Sequence, residues 1–139
     1  NLEVSQNKIA FLLFDIPSSI NDNHKIKLNI VPESVVSLNG NIEIYKYEYK
    51  GWGEKIDNHN IGIIDHSLGK KLAALTLLDN GTAVSVDLTN QINSYGEEFS
   101  IALKVSDPSD EVYFYSKEKG ITGREIVPNT IVWPYLSFQ

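Results

Sequence analysis

Short runs in which apolar and polar residues alternate strictly are the feature of this sequence that most constrains its fold. Three such runs lie at 26–30, 84–88 and 99–105. A period of two places successive side chains on opposite faces of an extended chain, so each run predicts a β-strand with one buried face. Two further strands are predicted at 112–115 and 135–138. The almost wholly apolar segment 9–16 predicts a strand covered on both faces, in the centre of a sheet.

Turn signals separate these runs. Asn39-Gly40 precedes a strand at Ile42, and Asp79-Asn80-Gly81 lies between two apolar runs. Asn-Gly favours the positive φ angles of a type I′ turn, so both sites predict β-hairpins. Asn80-Gly81-Thr82 also has the form of a glycosylation sequon, although a turn is its simpler interpretation.

Helical signals are scarce. Thr89 is a candidate cap for a short turn through 91–93 that ends at Gly96. The spacing of Leu68, Leu72 and Leu75 permits a helix, but we favour a strand there. With 139 residues, 42% hydrophobic and 22% charged, the chain suits one globular domain over 1–139. The sequence therefore predicts an all-β fold, a single antiparallel β-sandwich of jelly-roll or Greek-key type with at most one short helical turn.

Charge and composition argue against several classes of partner. The formal net charge is −6 and the chain has one arginine, Arg124, so binding to nucleic acid or to anionic lipid is not expected. No apolar stretch reaches the roughly 18 residues of a bilayer span, so membrane insertion is not expected either. The sequence has no cysteine, and it begins Asn-Leu-Glu. We expect it to be a module of a larger, exported protein.

Sequence motifs of catalysis are missing. There is no G-x-S-x-G, P-loop, H-E-x-x-H or dinucleotide-binding glycine pattern, so we predict no enzymatic activity and no catalytic residues. Asp57 to His66 gathers carboxylate, amide and imidazole groups, and 107–111 is a second acidic loop. Both are more typical of turns than of metal sites, although the first could hold calcium or a transition-metal ion and the second calcium.

Tyrosines are the best candidates for a binding surface. Tyr45, Tyr47 and Tyr49 share one face of a predicted strand, and Trp52 follows closely. Tyr113 and Tyr115 form a second, shorter stripe. Aromatic faces pack against the C–H groups of sugar rings, so these six residues predict a carbohydrate platform. The alternative is that the rings cover the core, which is also the more common fate of Trp52 and Trp133.

Several blocks, taken in order, resemble the DNRLRE-domain family. That family's pattern has an L-x-F-D-L strand, a W-x-E block, a D-V-T block before a short helical turn, an F-x-L strand, an F-x-S-x-E strand and a closing P-x-L-x-V. The corresponding blocks here are Ile9 to Ile16, Gly51 to Glu54, Val86 to Thr89, Phe99 to Lys104, Val112 to Glu118 and Pro134 to Phe138. Two departures stand out: Leu2-Glu3-Val4 is all that corresponds to the family's first strand, and Lys55 to Asn58 replaces the usual T-W.

The resemblance implies a secreted jelly-roll sandwich that accompanies polysaccharide-degrading or surface-anchored modules and in some members binds carbohydrate. For Asp87, Thr89, Glu54 and Glu118 we expect structural roles. The leading hypothesis is a non-catalytic carbohydrate-binding module of a secreted or surface-anchored bacterial protein, whose partners are a polysaccharide or cell-surface glycan and the other domains of the parent protein. The alternative is a structural or adhesive module, a stalk or filament subunit, in which an incomplete sandwich offers an edge to a neighbouring strand.

Overall fold

The computed structural model of the chain describes residues 2–47, 68–76, 78–115 and 134–139. These residues contain ten β-strands and a three-residue 3-10 helix, Thr89–Gln91. The strands are β1 (Leu2–Ser5), β2 (Ala10–Asp15), β3 (Ile26–Ile30), β4 (Pro32–Ser37), β5 (Ile42–Tyr47), β6 (Leu68–Leu75), β7 (Val84–Asp87), β8 (Glu98–Val105), β9 (Glu111–Phe114) and β10 (Tyr135–Phe138).

The strands form three antiparallel sheets, with the orders β1-β9-β4, β10-β3-β7 and β2-β8-β5-β6. The first two sheets are joined by an almost continuous run of chain. This run leaves β3 at Ile30 and enters β4 at Pro32, with only Val31 between them. Among the described strands, β5 and β6 are the one pair that is both consecutive and hydrogen-bonded, so the other connections cross between sheets.

One hydrophobic cluster takes side chains from all three sheets. In β3, for example, Ile26, Leu28 and Ile30 are buried while Lys27 and Asn29 remain partly exposed. Burying one such aliphatic side chain stabilises a fold by about 1.5–3 kcal/mol. The apolar faces of the alternating strands therefore pack into this cluster. Its members without exposed surface are Val4, Leu28, Ile30, Ile42, Ile44, Leu88, Ile101, Leu103, Val112 and Phe114. The predicted all-β antiparallel sandwich is confirmed.

The predicted strands are confirmed at 26–30, 84–88, 99–105, 112–115 and 135–138, within a residue or two at their ends. Leu68 to Leu75 is a strand, as expected, and not a helix. The segment 9–16 forms β2, whose Ala10, Phe11 and Leu12 are buried on both faces. Its predicted central position is not confirmed, because β2 ends the described sheet and pairs there with β8 alone.

Both predicted hairpins are wrong, although the chain turns at each site. Asn39-Gly40 connects β4 to β5 and Asp79-Asn80-Gly81 connects β6 to β7, and in each case the two strands belong to different sheets. Gly81 has the positive φ expected of it, at 75°. Gly40 does not, and it is needed for another reason: a Cβ there would overlap Ser106 Oγ.

The expected short turn at Thr89 exists, but its hydrogen bonds differ from a simple cap. Thr89 donates to the Asp87 carboxylate from its side chain and from its N–H, the latter at 2.9 Å, and these hydrogen bonds lower the pKa of Asp87. The Thr89 hydroxyl also accepts the Ile26 N–H, at 2.9 Å. Thr89 therefore ties the helical turn to the start of β3. Glu54 and Glu118, for which structural roles were also predicted, lie outside the described residues.

Candidate functional site

The predicted binding residues divide between two sheets. Tyr45 and Tyr47 lie on β5, whereas Tyr113 lies on β9 and Tyr115 follows it directly. In both strands the core-facing positions are the alternate ones, so Tyr45 and Tyr113 lie on sheet faces directed away from the main hydrophobic cluster. Tyr49 and Trp52 lie outside the described residues, as does Trp133.

Tyr47 is buried, with 7% of its surface exposed. Its ring meets Phe11 of β2 edge to face, with ring centroids 5.0 Å apart and an interplanar angle of 66°. Together with Ala102 of β8 these rings form a second, smaller hydrophobic cluster, which Ile9 and Leu68 extend. Such aromatic pairs add about 0.5–1.5 kcal/mol beyond the burial of their area. Tyr47 is therefore buried, but it packs in this smaller cluster and not on the main core that the alternative interpretation named.

Tyr45 is half-buried and its hydroxyl is fixed by its own strand. The hydroxyl donates to Glu43 Oε1 at 3.1 Å, and Lys71 of β6 contacts Glu43 Oε2 at 3.0 Å. Lys71 lies opposite Tyr45 in the β5–β6 register, which brings the three side chains together. The hydrogen bond and the negative charge of Glu43 raise the pKa of the Lys71 ammonium. We call Glu43, Tyr45 and Lys71 the β5 triad.

Tyr113 has a similar environment on the other sheet. Its hydroxyl donates to Glu111 Oε2, and Glu3 of β1 lies opposite it in the register. The hydrogen bond to Glu111, partial desolvation and the charges of Glu3 and Glu111 raise the pKa of Tyr113 to about 12. Glu3 in turn accepts from Ser5 Oγ at 2.9 Å and pairs with Lys8 at 3.2 Å. We call Glu3, Lys8, Glu111 and Tyr113 the β9 cluster.

The sequence analysis does not name the glutamates of these two groups as site residues, although a pattern in the sequence indicates them. Glu43-Ile44-Tyr45 and Glu111-Val112-Tyr113 share the pattern Glu-x-Tyr. In a strand, residues two apart lie on the same face, so the pattern places a carboxylate beside each phenol. The positions of Lys71 and Glu3 depend on strand register, which this pattern does not specify.

The acidic loop at 107–111 forms turns, as expected. Asp107 accepts the N–H and the hydroxyl of Ser109, which lowers the pKa of Asp107. The carboxylate of Asp110 is buried, and it accepts the N–H groups of Asn39 at 2.6 Å and Gly40 at 2.8 Å. Within the described ranges, no group of three or more His, Cys, Asp or Glu is arranged to hold a metal ion. The candidate calcium loop from Asp57 to His66 lies outside the described residues.

Both groups offer a ring of limited mobility beside charged hydrogen-bonding groups. Carboxylates accept hydrogen bonds from hydroxyl groups, and a half-buried phenol ring presents an apolar face next to them. The β5 triad balances one carboxylate against one ammonium group. In the β9 cluster two carboxylates outnumber the single Lys8. These surfaces therefore suit hydroxyl-rich ligands that carry no negative charge.

Comparison with known proteins found no family model that matches the chain and no curated protein with significant similarity. Among the helical residues that the structure describes, none belongs to a helix with the length and apolarity needed to cross a membrane.

Proposed function

We propose that the chain is a non-catalytic carbohydrate-binding module of a secreted or cell-surface protein, as the resemblance to the DNRLRE-domain family implies. One observation carries the proposal: two outer sheet faces each present a half-buried tyrosine whose hydroxyl is held by a glutamate two residues earlier. A ring that is already ordered loses little conformational entropy when it stacks on a sugar, which favours binding.

The charges indicate the class of glycan. The chain carries a formal net charge of −6, and carboxylates lie beside both tyrosines. An acidic polysaccharide would be repelled by the excess carboxylate of the β9 cluster and by the net negative charge of the chain, whereas a neutral one would not be repelled. We therefore propose neutral polysaccharides as the ligands.

Retention of tyrosine variants on immobilised neutral polysaccharides tests this proposal. We expect Tyr45→Ala or Tyr113→Ala to weaken retention about tenfold, because the loss of one stacked aromatic ring reduces the binding free energy by on the order of 1.5 kcal/mol. Tyr135→Ala is the matched control, since Tyr135 is a half-buried tyrosine on the outer side of the β10-β3-β7 sheet, which contains neither candidate surface. Equal retention of all four proteins would contradict the proposal, and thermal unfolding of each variant verifies that it folds.

The alternative, a structural or adhesive module, is favoured by a different observation. Leu2–Ser5 forms β1 at one end of the β1-β9-β4 sheet, and among the described strands it pairs with β9 alone. An end strand of this kind is a place where a neighbouring chain can add a strand. Light scattering over a range of concentrations distinguishes this function, because it requires assembly and the carbohydrate-binding function does not.

A further inference from the structure

Among the described strands, β4 lies at the end of its sheet, with one edge paired with β9 and the other bordered by a turn. On the paired side, the Val31 carbonyl just before β4 accepts the Tyr115 N–H at 3.2 Å. The next carbonyl, Pro32 O, accepts the Gly81 N–H at 2.7 Å. Successive carbonyls of an extended chain point to opposite sides, so the turn that connects β6 to β7 borders the outer edge of β4. The turn connects strands of two sheets, but it makes these contacts with β4, which belongs to the remaining sheet.

Asn80 makes the second contact to the same edge. Its Oδ1 accepts the Val35 N–H at 2.7 Å, three residues along β4 from the Pro32 contact. The turn is closed by the Thr82 N–H, which donates to the Asp79 carbonyl at 3.1 Å. Gly81 has a φ of 75° there and open space around its Cα, so its requirement for glycine comes from backbone conformation alone. One four-residue turn therefore satisfies a donor and an acceptor on the outer edge of β4.

The edge that the turn covers would be prone to pairing if it were open. Val36 of β4 is 60% exposed, which makes it the large hydrophobic side chain with the greatest exposure among the described residues. An end strand that combines free backbone groups with an exposed β-branched side chain is a template for strand addition. Register shifts at Glu33 and Val36 already make β4 irregular.

We propose that the Asp79–Thr82 turn seals the outer edge of β4 and prevents a second copy of this chain from adding a strand there. The occupant is another β4, because identical edges offer the same donors, acceptors and exposed valine to each other. The inference does not depend on the carbohydrate-binding proposal, since neither tyrosine group includes β4.

Amide hydrogen exchange at Val35 tests the seal itself. In the unmodified protein we expect the Val35 amide to be protected, and in Asn80→Ala we expect its exchange to accelerate about tenfold, as the loss of one hydrogen bond implies. Asn80→Asp keeps an acceptor oxygen and should retain slow exchange, and Asn93→Ala, at an exposed loop position, should have no effect. An unprotected Val35 amide in the unmodified protein, or equal exchange in all variants, would overturn the proposal.

Light scattering of the same proteins tests the consequence. We expect Asn80→Ala to associate at concentrations where the unmodified protein and Asn80→Asp do not. Adding Val36→Lys to Asn80→Ala should restore the original size, because a lysine on an end strand opposes pairing by charge. If Asn80→Ala exchanges Val35 rapidly but keeps the size of the unmodified protein, or if Val36→Lys leaves its association unchanged, strand addition at β4 is excluded.

Discussion

At the scale of single residues, each candidate surface is based on a tyrosine hydroxyl held by a carboxylate. The hydrogen bond to Glu111, together with partial desolvation and nearby charge, raises the pKa of the Tyr113 phenol to about 12, because ionisation would remove the donated proton and place a third negative charge beside Glu111 and Glu3. In the unfolded chain the phenol loses these neighbours and returns to a pKa near 10. Because the pKa of this phenol is higher in the folded protein than in the unfolded chain, the protonated phenol stabilises the fold.

This linkage predicts a pH dependence. Below about pH 10 the phenol is protonated in both states and its contribution to stability is complete. As the pH rises from about 10 towards 12, the unfolded chain ionises first, so this contribution is lost. We expect the stability difference between the unmodified protein and Tyr113→Phe to shrink over that interval. Ultraviolet titration checks the cause. The difference between the titrations of the unmodified protein and Tyr113→Phe isolates the Tyr113 phenol, which should titrate near pH 12. Titration of this phenol near pH 10 would contradict the account.

We expect Tyr47 to contribute to the stability of the fold and not to ligand binding. Because its ring is 7% exposed and packs on Phe11, Tyr47→Ala should lower the free energy of unfolding by about 3 kcal/mol. Tyr45→Ala, on the same strand but half-buried, should cost about 1 kcal/mol. Urea denaturation measures both values. A smaller loss for Tyr47→Ala than for Tyr45→Ala would mean that the Tyr47 ring does not contribute to packing.

At the scale of elements, polar side chains fix the connection between β4 and β5, which lie in different sheets. The Asp110 carboxylate takes the N–H groups of Asn39 and Gly40 and so attaches the β4–β5 connection to the loop before β9. Ser106 Oγ accepts the next N–H, that of Asn41, at 2.9 Å. These bonds hold the chain where it passes from one sheet to another, which is the point at which a hairpin was expected.

Removing Asp110 should therefore loosen this connection. Asp110→Ala leaves two backbone N–H groups without acceptors, and we expect a loss of about 3 kcal/mol in the free energy of unfolding. Asp107→Ala is the matched control, because the Asp107 carboxylate accepts hydrogen bonds from Ser109 within its own loop, so this substitution should cost much less stability than Asp110→Ala. Chemical denaturation distinguishes the two, and equal losses would show that Asp110 is not the anchor.

Strands could be predicted from the sequence, whereas their partners could not. The period-two pattern of Ile26, Leu28 and Ile30 follows directly from burial of one face, and that face is buried. Asn39-Gly40 and Asn80-Gly81 indicate a change of direction but contain no information about which strands pair afterwards. Similarly, the tyrosine stripe on β5 indicates a shared face, but the burial of Tyr47 depends on Phe11 and Ala102, which lie on other strands.

At the scale of the whole molecule, the three sheets use their inner faces for one core and leave polar tyrosine groups on outer faces. The β5 triad and the β9 cluster lie on different sheets, so the proposed module has two separate places for sugar rings. Two weak sites on one protein can retain a long polymer more strongly than either site alone, since the second contact is intramolecular. If the proposal holds, we expect a polysaccharide to bind more strongly than a short oligosaccharide.

The most direct test of the central claim is retention of the unmodified protein on a panel of neutral and acidic polysaccharides, with calcium and then with a chelator. We predict retention on at least one neutral polysaccharide and none on acidic ones, since carboxylates lie beside both tyrosines. Loss of retention with the chelator would assign calcium a role in binding. A folded protein that is retained on no polysaccharide, or only on acidic ones, would contradict the account.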